Sequence, residues 1–99
     1  MITKEFETYR AAQDVKFTGT VCIKKGYEEH NACRIIHMVG GKWSRLDGPA
    51  SYYIDCVTGE NITTKIYSES YWYNDVKYDD EEDFLTYPLL VNLRIKTKL

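Results

Sequence analysis

The chain reads as an α+β fold: one β-rich domain over residues 1–99, with an antiparallel sheet built from hairpins, a short acidic C-terminal helix and a further N-terminal helical stretch. Three observations predict this. Apolar and polar residues alternate through Phe17–Ile23 and again from Tyr52, the period of strands with one buried face. Gly-Gly and Asn-Asp sequences punctuate these runs as turns do. A chain of 99 residues can bury roughly two-thirds of its unfolded surface, enough for one modest core and no second domain.

The elements follow in order. Ile2, Phe6 and Tyr9 recur at helical spacing, and Thr3 is placed to cap a first turn, so residues 3–12 are expected to be a short amphipathic helix. Phe17, Val21 and Ile23 alternate with Thr18, Thr20 and Cys22 as in a half-buried strand, which Lys24-Lys25-Gly26 ends. After the polar Tyr27–Asn31, the β-branched centre of Ala32–Val39 predicts a second strand. Gly40-Gly41 supplies the positive φ angles that a tight hairpin needs.

Pro49 lacks an N–H and marks the entry or edge of the next strand. There Tyr52, Ile54 and Cys56 share one face, with Tyr53 and Asp55 on the other. Thr58–Asn61 reads as a turn and Ile62–Tyr67 as its partner strand. Tyr71-Trp72-Tyr73 continues the sheet and breaks at Asn74-Asp75. Asp79 or Asp80 can cap a helix near 80–87, whose acidic first turn complements the positive end of the helix dipole. Pro88 ends or kinks it. Leu89–Ile95 fits both a strand and a helix period, and the choice stays open.

Gly41-Lys42-x-x-Arg45-x-Asp47-Gly48-Pro49-Ala50 resembles the "G-K-x-H-R-x-D-G-P-A" repeat of small, mostly phage-encoded proteins, distantly similar to MORN-type repeats. Tyr71–Tyr78 looks like the aromatic hairpin that closes such a unit, so the resemblance covers roughly residues 36–84. Ser44 stands where the repeat has His, Asp75 where it has Gly, and the span from Ala50 to Tyr71 is longer than one unit. The resemblance implies a β-rich scaffold of phage or mobile-element origin and assigns no reaction. Physically, Gly48 suits an unusual backbone conformation, Pro49 fixes strand entry, and Ala50 leaves room for a ring. Arg45 and Asp47 are read as structural hydrogen-bonding residues.

Composition narrows the function classes. A net charge of −2 lacks the Lys and Arg surplus that direct nucleic-acid or membrane-surface binding requires. Cys22, Cys33 and Cys56 have no CxxC spacing, and no signal peptide is evident, which points to reduced thiols and a cytoplasmic setting, the host cytoplasm for a phage protein. His30, His37 and the cysteines lack zinc-site spacing, so no metal or other cofactor is expected. Cys33 and His37 share a strand face too far apart for a nucleophile and its base. Gly40-Gly41-Lys42 lacks the other parts of a phosphate loop, and Asn61-Ile62-Thr63 matches a glycosylation site by pattern alone. No catalytic residue is assigned.

The most distinctive surface is acidic: Asp75, Asp79, Asp80, Glu81, Glu82 and Asp83, with Tyr78 among them. It fits a capped helix start, and it also fits a docking surface for a basic host protein such as a nuclease or a nucleic-acid-binding factor. The functional expectation is therefore a small phage accessory protein that binds a host protein and inhibits a defence system. The rival is a small-molecule or nucleotide-binding module with an aromatic pocket, with homodimerisation open in either case.

Overall fold

A computed structural model describes residues 3–24, 32–55 and 66–98. The elements run β1 (Thr3–Glu5), α1 (Tyr9–Asp14), β2 (Gly19–Ile23), β3 (Ala32–Val39), β4 (Lys42–Trp43), β5 (Ser51–Asp55), β6 (Ile66–Tyr73), β7 (Val76–Tyr78), α2 (Glu81–Thr86) and α3 (Pro88–Lys98). The turn expected at 58–61, the first residues of its strand, the Asn61 pattern, Cys56 and His30 lie outside the described residues.

The seven strands order β1-β2-β3-β5-β6-β7, with β4 beside β3. The sheet is mixed, which corrects the all-antiparallel expectation: β1 pairs parallel with β2, Lys4 opposite Val21. The N-terminal helix is also shorter than expected. Thr8, not Thr3, caps it, accepting from the Ala11 N–H at 3.2 Å, because Thr3–Glu5 is drawn into the sheet. At the other end α3 settles the open choice as helix. Pro88 starts it, where its missing N–H costs nothing, and Tyr87 is extended as a residue before proline prefers.

Register assigns the two faces. Val21 pairs with Ile36, Ile36 with Ser51, and Ser51 with Ser70, so these four side chains share one face. On it Val21, Ile23, Ile36 and Met38 enclose Ala12 of α1, flanked by Phe6, Tyr9, Phe17 and Trp43. On the opposite face Tyr71 packs with the fully buried Phe84 of α2 and Leu90 of α3, joined by Leu46, Tyr73, Tyr78 and Leu93. Helices therefore cover both sides of the sheet. An extra residue interrupts the β5–β6 ladder between Ser51 and Tyr53, where Ser68 holds φ 53° in a bulge.

Gly40 (φ 58°) and Gly41 (φ 82°) make the two-residue turn from β3 into β4. A Cβ on Gly41 would also stand 3.0 Å from the Gln13 carbonyl oxygen, so this turn sits hard against the end of α1. Asn74 (φ 50°) and Asp75 (φ 63°) make the corresponding turn between β6 and β7. These residues tolerate the left-handed region because their short polar side chains bond locally.

Cys33 is disulfide-bonded, its partner lying outside the described residues, while Cys22 is free. The reading of three reduced thiols is thereby corrected, and with it the cysteine argument for a reducing compartment. Among the described residues no helix is long and apolar enough to cross a membrane.

Candidate functional site

Two surface regions carry polar chemistry, and the Arg45–Ala50 motif builds the first. Arg45 folds back over its own loop. Its Nε donates to Asp47 Oδ1 at 2.8 Å, and its Nη1 donates to the Pro49 carbonyl at 3.2 Å and to His37 Nε2 at 3.1 Å. A guanidinium only donates, so Nε2 is the acceptor and the imidazole proton sits on Nδ1, facing Thr20 Oγ1 at 3.5 Å. The Tyr52 hydroxyl lies 3.0 Å from the same Nε2. Burial, and then the charge of Arg45, lower the His37 pKa to about 4, so the ring is neutral near neutral pH. The hydrogen bond from Arg45 in turn holds the Asp47 carboxyl below its usual range.

Gly48 serves this loop differently from the expectation. Its φ is not positive; a Cβ there would instead meet Arg45 Cζ at 3.0 Å. The glycine is a seat for the guanidinium. Ala50 is fully buried and donates its N–H to the Ser70 carbonyl at 3.0 Å, joining the motif to β6.

The β6–β7 turn docks on the start of the same motif. The Asp75 carboxylate accepts the Trp43 N–H at 2.7 Å, and the Asp75 N–H donates to the Trp43 carbonyl at 2.9 Å. The Asn74 N–H donates to Ser44 Oγ at 3.2 Å, and the Arg45 N–H to the Trp72 carbonyl at 3.1 Å. Asp75 thus has a structural bond here in addition to its exposure. Gly at this position would keep the turn and lose that acceptor. Lys42 pairs within β4 opposite Val39 and is exposed.

Between these parts lies a cleft of about 670 Å³, with Met38, Val39, Leu46 and Tyr73 as its apolar lining and Ser44 and Arg45 among its polar groups. Its volume is in the range of small-molecule sites. Sequence reasoning missed it because its lining comes from separated segments of the chain. Of the rings singled out in the sequence, Tyr73 lines this cleft, while Trp43 and Trp72 pack on each other. Trp43 packs edge-on against Tyr9 (5.5 Å between centroids) and Trp72 (4.9 Å), and Arg34 lies over Trp43, with its Cζ 4.9 Å from the ring centroid. The Arg34 Nε is buried and lacks a hydrogen-bond partner among the described residues.

The second region is the acidic edge. Asp79 through Asp83 are all exposed. Asp80 caps α2, accepting the Asp83 N–H at 2.8 Å, so one of the five carboxylates is spent on the fold. Val76, Tyr78, Asp79, Asp83, Tyr87 and Pro88 line a shallow groove of about 430 Å³. Tyr78 is half-buried, its ring 5.2 Å from Tyr87 and 5.8 Å from Phe84, and burial raises its phenol pKa. Burial, with Glu81 and Glu69 nearby, pushes the Tyr71 phenol up to about 12; its hydroxyl donates to Glu69 Oε2 at 3.3 Å. Val76, Leu85, Tyr87 and Leu89 beside this edge are each about half exposed. Among the described residues no group of three or more His, Cys, Asp or Glu side chains could hold a metal ion.

Neither a protein-family model, nor a curated protein, nor a solved structure matches the chain.

Proposed function

We propose that this protein is a binding module whose acidic edge engages a basic protein, and that it serves as a small phage accessory protein acting on a host factor to inhibit a defence system. One observation carries the reading: exposed carboxylates at 79–83 adjoin the half-exposed Val76, Leu85, Tyr87 and Leu89 around the groove. Carboxylates beside exposed apolar side chains suit recognition in which charge steers encounter and apolar burial holds the complex. The helix cap accounts for Asp80 alone; Asp79 and Glu82 make no side-chain bond among the described residues. The phage setting rests on the resemblance of Gly41–Ala50 to the phage-encoded repeats. A host nuclease or nucleic-acid-binding factor is the class of partner whose basic surface complements this edge.

The test uses an Asp79→Lys/Glu82→Lys double variant, which leaves the Asp80 cap intact. Affinity capture from host lysate with the parent chain should recover a stoichiometric basic protein, and the variant should lose it while unfolding at the same denaturant midpoint. Undiminished capture by the variant would refute the acidic-edge reading.

A further inference from the structure

The acidic edge adjoins the free margin of the sheet. β7 ends the strand order, with β6 on one side and no strand on the other among the described residues. Tyr73 and Val76 flank a two-residue turn, so they form a hydrogen-bonded pair, as do Tyr71 and Tyr78, and the pair between them, Trp72 with Lys77, is the non-bonded kind. The N–H and C=O of Lys77 therefore point away from β6, along the open margin. The Lys77 side chain does not screen them, because its ammonium stands over the Trp72 ring, 6.0 Å from the centroid.

Beside this margin runs the groove of Val76, Tyr78, Asp79, Asp83, Tyr87 and Pro88. Val76 and Tyr78 alternate with Lys77 and so share the face on which Tyr78 meets Phe84 of α2. Val76 and Tyr87 are about half exposed, and the Asp79 and Asp83 carboxylates make no bond among the described residues. The opposite margin differs: Thr3, Lys4 and Glu5 of β1 include no apolar side chain, and Glu5 is paired with Lys24 at 3.6 Å. Water satisfies the Lys77 backbone in the free chain; what that backbone sets is the form of the partner. An extended segment along β7 exchanges backbone bonds with Lys77 and drops every second side chain into the groove, where a Lys or Arg meets two carboxylates and the Tyr87 ring, and an apolar residue meets Val76. We propose that the partner docks as an extended basic strand added to β7. This rests on the acidic-edge reading and names the form of the segment that engages it.

Amide chemical-shift titration of the full chain tests this with the peptide acetyl-Thr-Lys-Thr-Val-Thr-Arg-Thr-amide, its counterpart with Glu in place of Lys and Arg, and the basic peptide N-methylated at its two central threonines. Residues paired across strands share a face, so with Lys, Val and Arg in the groove the N–H groups that bond β7 are those of the threonines. The expected result is saturable binding of the basic peptide, with shifts concentrated at residues 76–79, 83 and 86–87, and at least about tenfold weaker binding of the other two, the usual consequence of losing one or two bonds. Lys77→Pro removes the outward N–H and leaves the β6 ladder intact. It also removes a positive charge, so weaker binding of a basic peptide cannot come from charge; a comparable loss is expected. Should the variant unfold at a lower midpoint, the N-methylated peptide decides on the parent chain. No saturation, shifts centred elsewhere, or equal binding of the acidic or the N-methylated peptide would each overturn the proposal. Capture from lysate separates the two readings: a partner lost by Asp79→Lys/Glu82→Lys but kept by a folded Lys77→Pro chain leaves the acidic edge standing and overturns strand addition.

Discussion

Arg45 Cζ lies 3.0 Å from where a Cβ on Gly48 would stand, so the guanidinium occupies the space that only glycine leaves. The contact makes the loop a self-bonded unit, with one side chain tying Asp47, Pro49 and His37 together. Gly48→Ala should destabilise the fold by about 1–3 kcal/mol, the usual range for overpacking a filled site. The penalty should shrink in an Arg45→Ala background, where the clash is gone. A double-mutant cycle from urea unfolding measures both, and equal penalties in the two backgrounds would refute the contact.

His37 gives the fold an acid-sensitive window. Its folded pKa is about 4 against an ordinary value of 6.5, so between those pH values the unfolded chain takes up a proton that the folded chain refuses. Stability is full above pH 6.5, falls as the pH drops towards 4, and gains no further loss from this group below that. Since the ring is partly open to solvent, the loss is discounted to about 1–2 kcal/mol. His37→Gln should flatten the window relative to the parent chain. Asp47, whose pKa is lowered from 3.8, contributes stability that is lost only at more acidic pH, so the two are separable. An NMR titration midpoint for His37 above 6 would contradict the buried, Arg45-facing ring.

Local chemistry made much of this legible. The Ala32–Val39 run, the Gly40-Gly41 turn and the break at Asn74-Asp75 each follow from residues adjacent in sequence. What escaped depends on partners far along the chain. Thr3–Glu5 has no apolar period, and it becomes a strand only because β2 offers an edge. Val91, Leu93 and Ile95 satisfy two periods at once, and contacts with Leu46 and Phe84 decide for helix. His37 is one of two histidines with no motif, and its neutrality comes from burial among separate strands and from the Arg45 charge beside it, neither of which adjacent residues reveal. The acidic run could be read, but the division of its carboxylates between cap and surface could not.

Asp75 is bonded to Trp43 in both directions, by its carboxylate at 2.7 Å and by its N–H at 2.9 Å. Asp75→Gly should keep the turn at φ 63° and lose one acceptor, costing about 1 kcal/mol. Asp75→Ala should cost about 1–2 kcal/mol more, because alanine resists the left-handed region. Asp75→Asn retains an acceptor and the turn preference and should be the mildest. Unfolding free energies that place Ala level with Asn would refute the assignment.

Arg94 is the residue through which α3 holds the second core to the motif loop. Its Nε donates to the Leu46 carbonyl and its Nη2 to the Phe84 carbonyl at 3.1 Å, with Cζ 4.6 Å from the Phe84 ring centroid. The six-residue α2 ends with carbonyls that have no intrahelical donor, and Arg94 supplies them from outside, as a cation near a helix C-terminus should. Arg94→Met keeps the stem and removes those bonds, for an expected loss of about 2–3 kcal/mol. Arg94→Lys should recover little, since one ammonium cannot span the Leu46 and Phe84 carbonyls as the planar fork does. Hydrogen exchange locates the effect: protection in α2 and α3 should fall in both variants while β2 and β3 keep theirs, and a uniform loss across the sheet would show that Arg94 supports the whole fold instead of this one junction.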